Sequence, residues 1–196
     1  MEKIKYLVII LITLLSFSSC ASFSEKIIEN KTTPLTQEKL QHIEGTYAMK
    51  SYDSYIKLNI DKEVQPLKEP KNNTISELTN GQSLDEIVLD KVKVDVKIVA
   101  DDKIRFLYRI QDSIIKKDSF TFKLQENGML HLENREIDSS GIPHFIGRIE
   151  IKKSRIGLSK NNDLLINHVY FKSNVALILG YSLKNNTSFY FKRLSK

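Results

Sequence analysis

The sequence predicts a mainly β fold: an antiparallel up-and-down meander that closes into a β-barrel behind one short N-terminal helix. Three observations predict it. Apolar residues recur with period two over most of the chain, the connections between these runs are hairpin-sized, and only one stretch reads as a helix of any length. A long meander with one polar and one apolar face removes its exposed edges most economically by closing on itself. A two-sheet β-sandwich satisfies the same pattern and is the structural alternative. The 196 residues, 41% hydrophobic and 28% charged, are enough for one domain with a buried core.

The helix is expected over residues 34–45, PLTQEKLQHIEG. Thr36 is placed as its N-cap, Gln37 and Glu38 fill the first turn, Leu35 and Leu40 stand at staple spacing, and Gly45 is the stop. Leu40 and Ile43 give it an apolar edge. Two short runs, TYAMKS and YIKLNI, then begin the strands. In DKVKVDVKIV, Val92, Val94, Val96 and Ile98 share one face while Lys91, Lys93, Asp95 and Lys97 share the other, the signature of a half-buried strand. Asp101 and Asp102 turn the chain into KIRFLYRI, where Ile104, Phe106, Tyr108 and Ile110 alternate with basic residues. Phe120, Phe122 and Leu124 follow, then a turn at residues 126–128, then Leu130 and Leu132. FIGRIEIK places Phe145, Gly147, Ile149 and Ile151 on one side. After a turn at residues 160–163 come LLINHVYF, VALILGYSL and, past a break at Asn185 and Asn186, SFYFKRL. The long connection, residues 61–85, carries Pro66 and Pro70 and two possible capping boxes, Thr74 with Glu77 and Ser83 with Glu86; it is either a lid with a short helix or a surface excursion.

The N-terminus has the layout of an export signal. Lys3 and Lys5 precede the apolar run YLVIILITLLSF, which is followed by Ser18 and Ser19. Residues 6–20 are too few to span a bilayer, which takes about 20 apolar positions. Cleavage after Ala21 by ordinary signal peptidase is one route. The other is set by FSSC, residues 17–20, which resembles a bacterial lipobox with Phe17 in place of the usual Leu and holds the only cysteine of the chain. On that reading Cys20 carries a diacylglycerol and a further acyl chain, and more than one chain holds stably because each buried CH₂ contributes about 0.8 kcal/mol. The organisation expected is therefore a signal peptide over residues 1–19, the lipidated cysteine and a flexible tether over 20–34, and a single barrel domain over 35–196. Ala21 behind the cysteine favours the outer membrane by resemblance to enterobacterial sorting, with the leaflet left open.

A family resemblance adds to this. Lipocalins have a short helix leading into Gly-x-Trp at the first strand, a long early loop, and an Arg near the last strand packed across that Trp. Here the helix leads into Gly45-Thr46-Tyr47, a long loop follows, and Arg193 stands in FYFKRL. The chain resembles the lipocalin-like lipoproteins of the Bacteroidota type, over about residues 35–194 and in organisation more than in motif, since it has no Trp. The resemblance implies that Tyr47 and Arg193 form the barrel-closing pair, stacked as cation and ring. It also implies a non-enzymatic, lipid-anchored envelope protein whose barrel binds a small apolar or amphipathic ligand. Phe106, Tyr108, Phe120, Phe122, Phe145 and Ile149 would line it. The other reading is an interaction module whose core is filled and whose outer face docks an envelope protein.

Catalytic and metal motifs are missing from the sequence. His42, His131, His144 and His168 lack ligand spacing, and neither a nucleophile elbow nor a phosphate loop is found, so no catalytic residue, metal or cofactor is predicted. His131 falls on the outward phase of its strand and is expected in solvent; His168 is expected buried and hydrogen-bonded. The net charge of +6 comes from 30 basic residues interspersed with 24 acidic ones, a solvated surface rather than a nucleic-acid arm.

Overall fold

The computed structural model describes residues 21–58, 63–68, 70, 73–134, 136–142, 146–176 and 179–196. Residues 1–20, with Cys20 and the signal segment, and His144 and Phe145 lie outside the described residues. A 3-10 turn at Glu25–Ile27 and strand β1 (Thr32–Thr33) precede a longer 3-10 helix, Gln37–Ile43. β2 (Gly45–Ala48), β3 (Asp53–Leu58) and β4 (Gln65–Pro66) follow, then two short helices, α1 (Ile75–Asn80) and α2 (Glu86–Leu89). The remainder is strand: β5 (Val92–Ala100), β6 (Lys103–Ile110), β7 (Ser113–Leu124), β8 (Leu130–Leu132), β9 (Glu136–Ile142), β10 (Ile146–Ser159), β11 (Leu164–Ala176), β12 (Leu179–Phe191) and β13 (Arg193–Ser195).

All pairings are antiparallel, in the order β13-β2-β5-β6-β7-β8-β10-β11-β12-β3-β4, with β1 and β9 also pairing to β10. The result is one continuous sheet curled into an open half-barrel, not two stacked sheets. β12 pairs β3 and, after Lys192, β13 pairs β2, which makes a seam between the C-terminal strands and β2–β3. There the Ala48 amide donates to the Lys192 carbonyl at 2.9 Å, and the Tyr52 amide to the Tyr190 carbonyl at 3.0 Å.

The period-two pattern sorts the sheet's faces. Val94, Ile104, Phe106, Leu130, Ile156, Leu164, Ile166 and Phe191 point inward and are fully buried in one cluster. This burial is the main stabilising term, on the order of 2 kcal/mol per large side chain. The predicted turns at 101–102, 126–128 and 160–163 are in place, with Gly128 at φ 76°.

The structure departs from the sequence reading at three places. The N-terminal helix is 3-10 rather than α, which suits buried residues three apart, Leu40 and Ile43, because 3-10 geometry stacks i and i+3. Thr36 makes no side-chain cap, and Gly45 does not stop the helix but begins β2. Asn185 and Asn186 do not break the chain: β12 runs straight through them, its backbone satisfied on both sides by β11 and β3. In the long connection the short helix allowed by the sequence is present: α1, with Ile75 and Leu78 in the core. Finally, residues 24–33 are not a flexible tether. Ile27 and Ile28 are buried against Met129, Leu165 and Tyr190 on the outside of the sheet, and β1 pairs β10.

Candidate functional site

The residues expected to line a ligand cavity separate into two groups. Phe106, Tyr108 and Phe122 are inward and at most 3% exposed; Phe120 packs against their cluster, edge-on to Phe106 at 5.9 Å between ring centres. Ile149 does not join them. In β10 the inward residues are even-numbered (Ser154, Ile156, Leu158), so Ile149 stands on the outer face and is 42% exposed. Strand alternation allows either face, and the side of β10 that holds Ile149 and Ile151 was read in the wrong phase.

At one end the interior is closed by α1. Its start is a complete capping box: the Thr74 hydroxyl accepts from the Glu77 amide at 3.3 Å, and the Glu77 carboxylate accepts from the Thr74 amide at 3.2 Å. Gly81, at φ 72°, ends it in the left-handed region. Polar side chains on the inward phase of β7, and Asn134 just past β8, hold the helix. Lys116 donates to the Ser76 hydroxyl at 2.6 Å and pairs with Asp118 at 3.3 Å, and Asn80 donates to Asp118 at 2.7 Å. Asn134 donates to the Thr79 carbonyl at 2.6 Å. The Tyr108 hydroxyl faces the same group, its pKa raised by burial and by Asp118.

His168 completes this ring. Its Nδ1 lies 3.0 Å from the Ser154 hydroxyl, and that hydroxyl donates to the Leu78 carbonyl of α1. Burial, helped by Lys152, lowers the His168 pKa to about 4, so the imidazole is neutral at pH 7. The serine's proton is committed to a carbonyl, and the serine is 1% exposed. The pair thus acts as a pin between β10, β11 and α1. The sequence signal for this ring was the placement of Lys116, Asp118, Ser154 and His168 on apolar phases of their strands.

Tyr47 and Arg193 do meet. They are paired across β2 and β13, with the guanidinium 4.9 Å from the ring centre. The Tyr47 ring is buried and its hydroxyl donates to the Ile43 carbonyl at 2.7 Å. Arg193 donates to the carbonyls of His42, Glu44 and Asn162 at 2.8, 2.7 and 2.7 Å. It therefore ties the 3-10 helix, the start of β2 and the β10–β11 turn together. A side chain at Gly45 would lie 2.8 Å from that guanidinium, so the glycine makes room for the clamp.

On the outer face, residues 22–28 form a clasp over β10–β12. Arg155 is wholly buried there. It donates through Nε to Asn167 at 2.8 Å, through one terminal nitrogen to Glu25 at 2.6 Å, and through the other to the Ser24 carbonyl at 3.1 Å. Burial lowers its pKa, and Glu25 opposes that shift. His131 has the outward phase expected of it but is not in solvent. Phe23 covers it, ring centres 4.8 Å apart, and burial with Arg155 and Lys153 nearby lowers its pKa to about 4.

Among the described residues no group of three or more His, Cys, Asp or Glu is placed to hold a metal ion, and no helix is long and apolar enough to cross a membrane. In comparisons with known proteins no family model, no curated protein and no solved structure matches this chain.

Proposed function

We propose that this chain is a lipid-anchored cell-envelope protein, acylated on Cys20, whose sheet closes into a lipocalin-like barrel with a filled interior. It works without catalysis, by docking an envelope partner. The observation that carries this reading is the packing of Phe106, Tyr108 and Phe122: all three are spent on the core cluster beneath α1. Closure of the barrel is supported by the two seam hydrogen bonds, and the lipocalin likeness by the contact of Tyr47 with Arg193. Anchoring rests on the FSSC motif ahead of the folded body and, by the residue that follows the cysteine, points to the outer membrane.

Ligand binding is the second reading, favoured by one observation. The closing helix α1 has only six residues and is held in part by polar contacts, so its displacement would open the interior to a small apolar or amphipathic molecule. Mass spectrometry of organic extracts from the protein purified out of membranes decides between them. The filled-core reading expects no stoichiometric lipid beyond the acyl chains on Cys20; one bound molecule per chain overturns it. For the anchor, Cys20→Ala is expected to abolish the acyl mass and release the protein from membranes, and unchanged membrane association would refute it.

A further inference from the structure

We infer that the open edge of β9 is a self-association surface: β9 pairs antiparallel with β9 of a second copy, about a two-fold axis at Ser139, and joins the two sheets into one. Self-association goes beyond the docking of an envelope partner proposed above and does not depend on it.

The edge is unguarded. Among the described residues β9 pairs with β10 alone, so its other side presents the amides and carbonyls of alternate residues to solvent. Natural sheets blunt such edges with short strands, proline, bulges or lysine. β4 has two residues and ends on Pro66, and β13 has three with a shift of register. The part of β7 not covered by β8 has a register shift at Ile115 and carries Lys116 and Lys117. β9 runs for seven residues, EIDSSGI, in unbroken register with β10, and contains no proline, no bulge and no basic residue. Residues 136–140 are all exposed, so both faces of the strand reach solvent.

The strand also complements itself. Two identical antiparallel strands related by a two-fold axis perpendicular to the sheet cross at one residue, and each copy contributes the same surface. Crossing at Asp138 sets that carboxylate against its own copy, and crossing at Ile137 sets it against Glu136; like charges directly opposite are unfavourable. Crossing at Ser139 pairs all seven residues and places every carboxylate against an uncharged residue. Glu136 then opposes Ile142 of the second copy, and Asp138 opposes Ser140. Ile137, 56% exposed on the outer face, falls against Gly141 of the second copy, which has no side chain in its way. Crossing at Ser140 shortens the ladder.

The clasp of residues 22–28 lies on the outer face of β10–β12. A two-fold axis perpendicular to the sheet turns neither copy over, so both clasps end up on one side of the pair. Two chains acylated on Cys20, as proposed above, thus sit in one membrane, and confinement there raises their effective concentration.

The test uses the full-length protein in sparsely loaded vesicles of phosphatidylethanolamine and phosphatidylglycerol. Across the two-fold the residue-139 Cα atoms stand about 5 Å apart, within reach of a disulfide. Ser139→Cys is expected to give a reducible covalent dimer on mild oxidation. The parent chain, and Ser113→Cys on the guarded edge of β7, are expected to stay monomeric on gels. Ser139→Asp and Ser139→Lys, at an exposed position, should each weaken association by roughly fivefold, read as energy transfer between copies labelled at Ser113→Cys. Mixing the two charge variants should restore it. A monomer throughout, or association that ignores both charges at residue 139, overturns the inference. Neither result touches the filled-core reading, which the lipid extract decides. A Cys20 without acyl mass defeats the anchor only: the same variants, made with Cys20→Ser, are then compared in solution by the same two criteria.

Discussion

Arg155 shows how a single residue can stabilise a fold through its partners alone. With no exposed surface, its guanidinium depends wholly on Asn167, Glu25 and the Ser24 carbonyl to replace water. Arg155→Lys keeps the charge but loses the forked geometry, and should cost roughly 2–3 kcal/mol. Glu25→Gln should cost less, about 1–2 kcal/mol, because Glu25 is itself largely exposed. Urea denaturation followed by tryptophan-free circular dichroism measures both, and an Arg155→Lys variant as stable as the parent would refute the assignment.

His168 gives a second residue-scale expectation. Its folded pKa of about 4 lies below the ordinary 6.5, so the unfolded chain takes up the proton first as pH falls. Stability should therefore be flat above pH 7 and decline between pH 6.5 and 4, by on the order of 2–3 kcal/mol for His168 and less for half-covered His131. Asp95, whose carboxyl is desolvated but held by Arg109 and Thr46 below its usual range, acts only at still lower pH. Denaturation curves across this window should lose much of their slope in His168→Gln; an unchanged slope would place the titrating group elsewhere.

Among the elements, α1 is the clearest meeting of local and tertiary rules. Its capping box was legible in Thr74 and Glu77, whereas near the similar pair Ser83 and Glu86 it is Asp85 that takes the N-cap position, without a side-chain bond. Spacing alone does not distinguish the two. Ile75 and Leu78, two apolar residues three apart, decide where a helix has something to pack on. Thr74→Ala should destabilise the protein by about 1–2 kcal/mol, and amide exchange should quicken first within residues 75–80. Uniform quickening would mean that the helix unfolds only with the whole.

β5 and β6 were readable residue by residue because one of their faces is wet and the other dry, which writes the period into the sequence. β10 and β12 were less readable. Both faces of their inner halves are covered, one by the core and the other by the residue 22–28 clasp, so polarity stops reporting direction there. The same covering hid His131, whereas Ile149 looked inward because it is an apolar side chain left exposed on the outer face. The clasp itself was illegible because Phe23, Ile27 and Ile28 form too short an apolar set to show any period.

For the molecule as a whole, the mainly β architecture followed from alternation and turn chemistry, while the pairing of β2 and β3 with the C-terminal strands followed from neither. Bringing residues 45–58 beside 185–195 is a long-range event that only strand number, tilt and curvature determine. If the seam is as firm as the body of the sheet, the Ala48 and Tyr52 amides should exchange as slowly as those of Val94 and Phe106. Rapid exchange confined to those two amides would mean an open sheet that breathes at its edge.

The clasp also sets a clock. Glu25 leaves the ribosome 130 residues ahead of Arg155, the group that fixes it, and Ser24 precedes its partner Asn186 by 162. Until β10 and β12 have been delivered, residues 21–33 lack the surface on which they pack. Any enzyme that must reach the chain near Cys20 therefore has a window that shuts on its own: open while the strands are still arriving, and closed once the last hairpin docks.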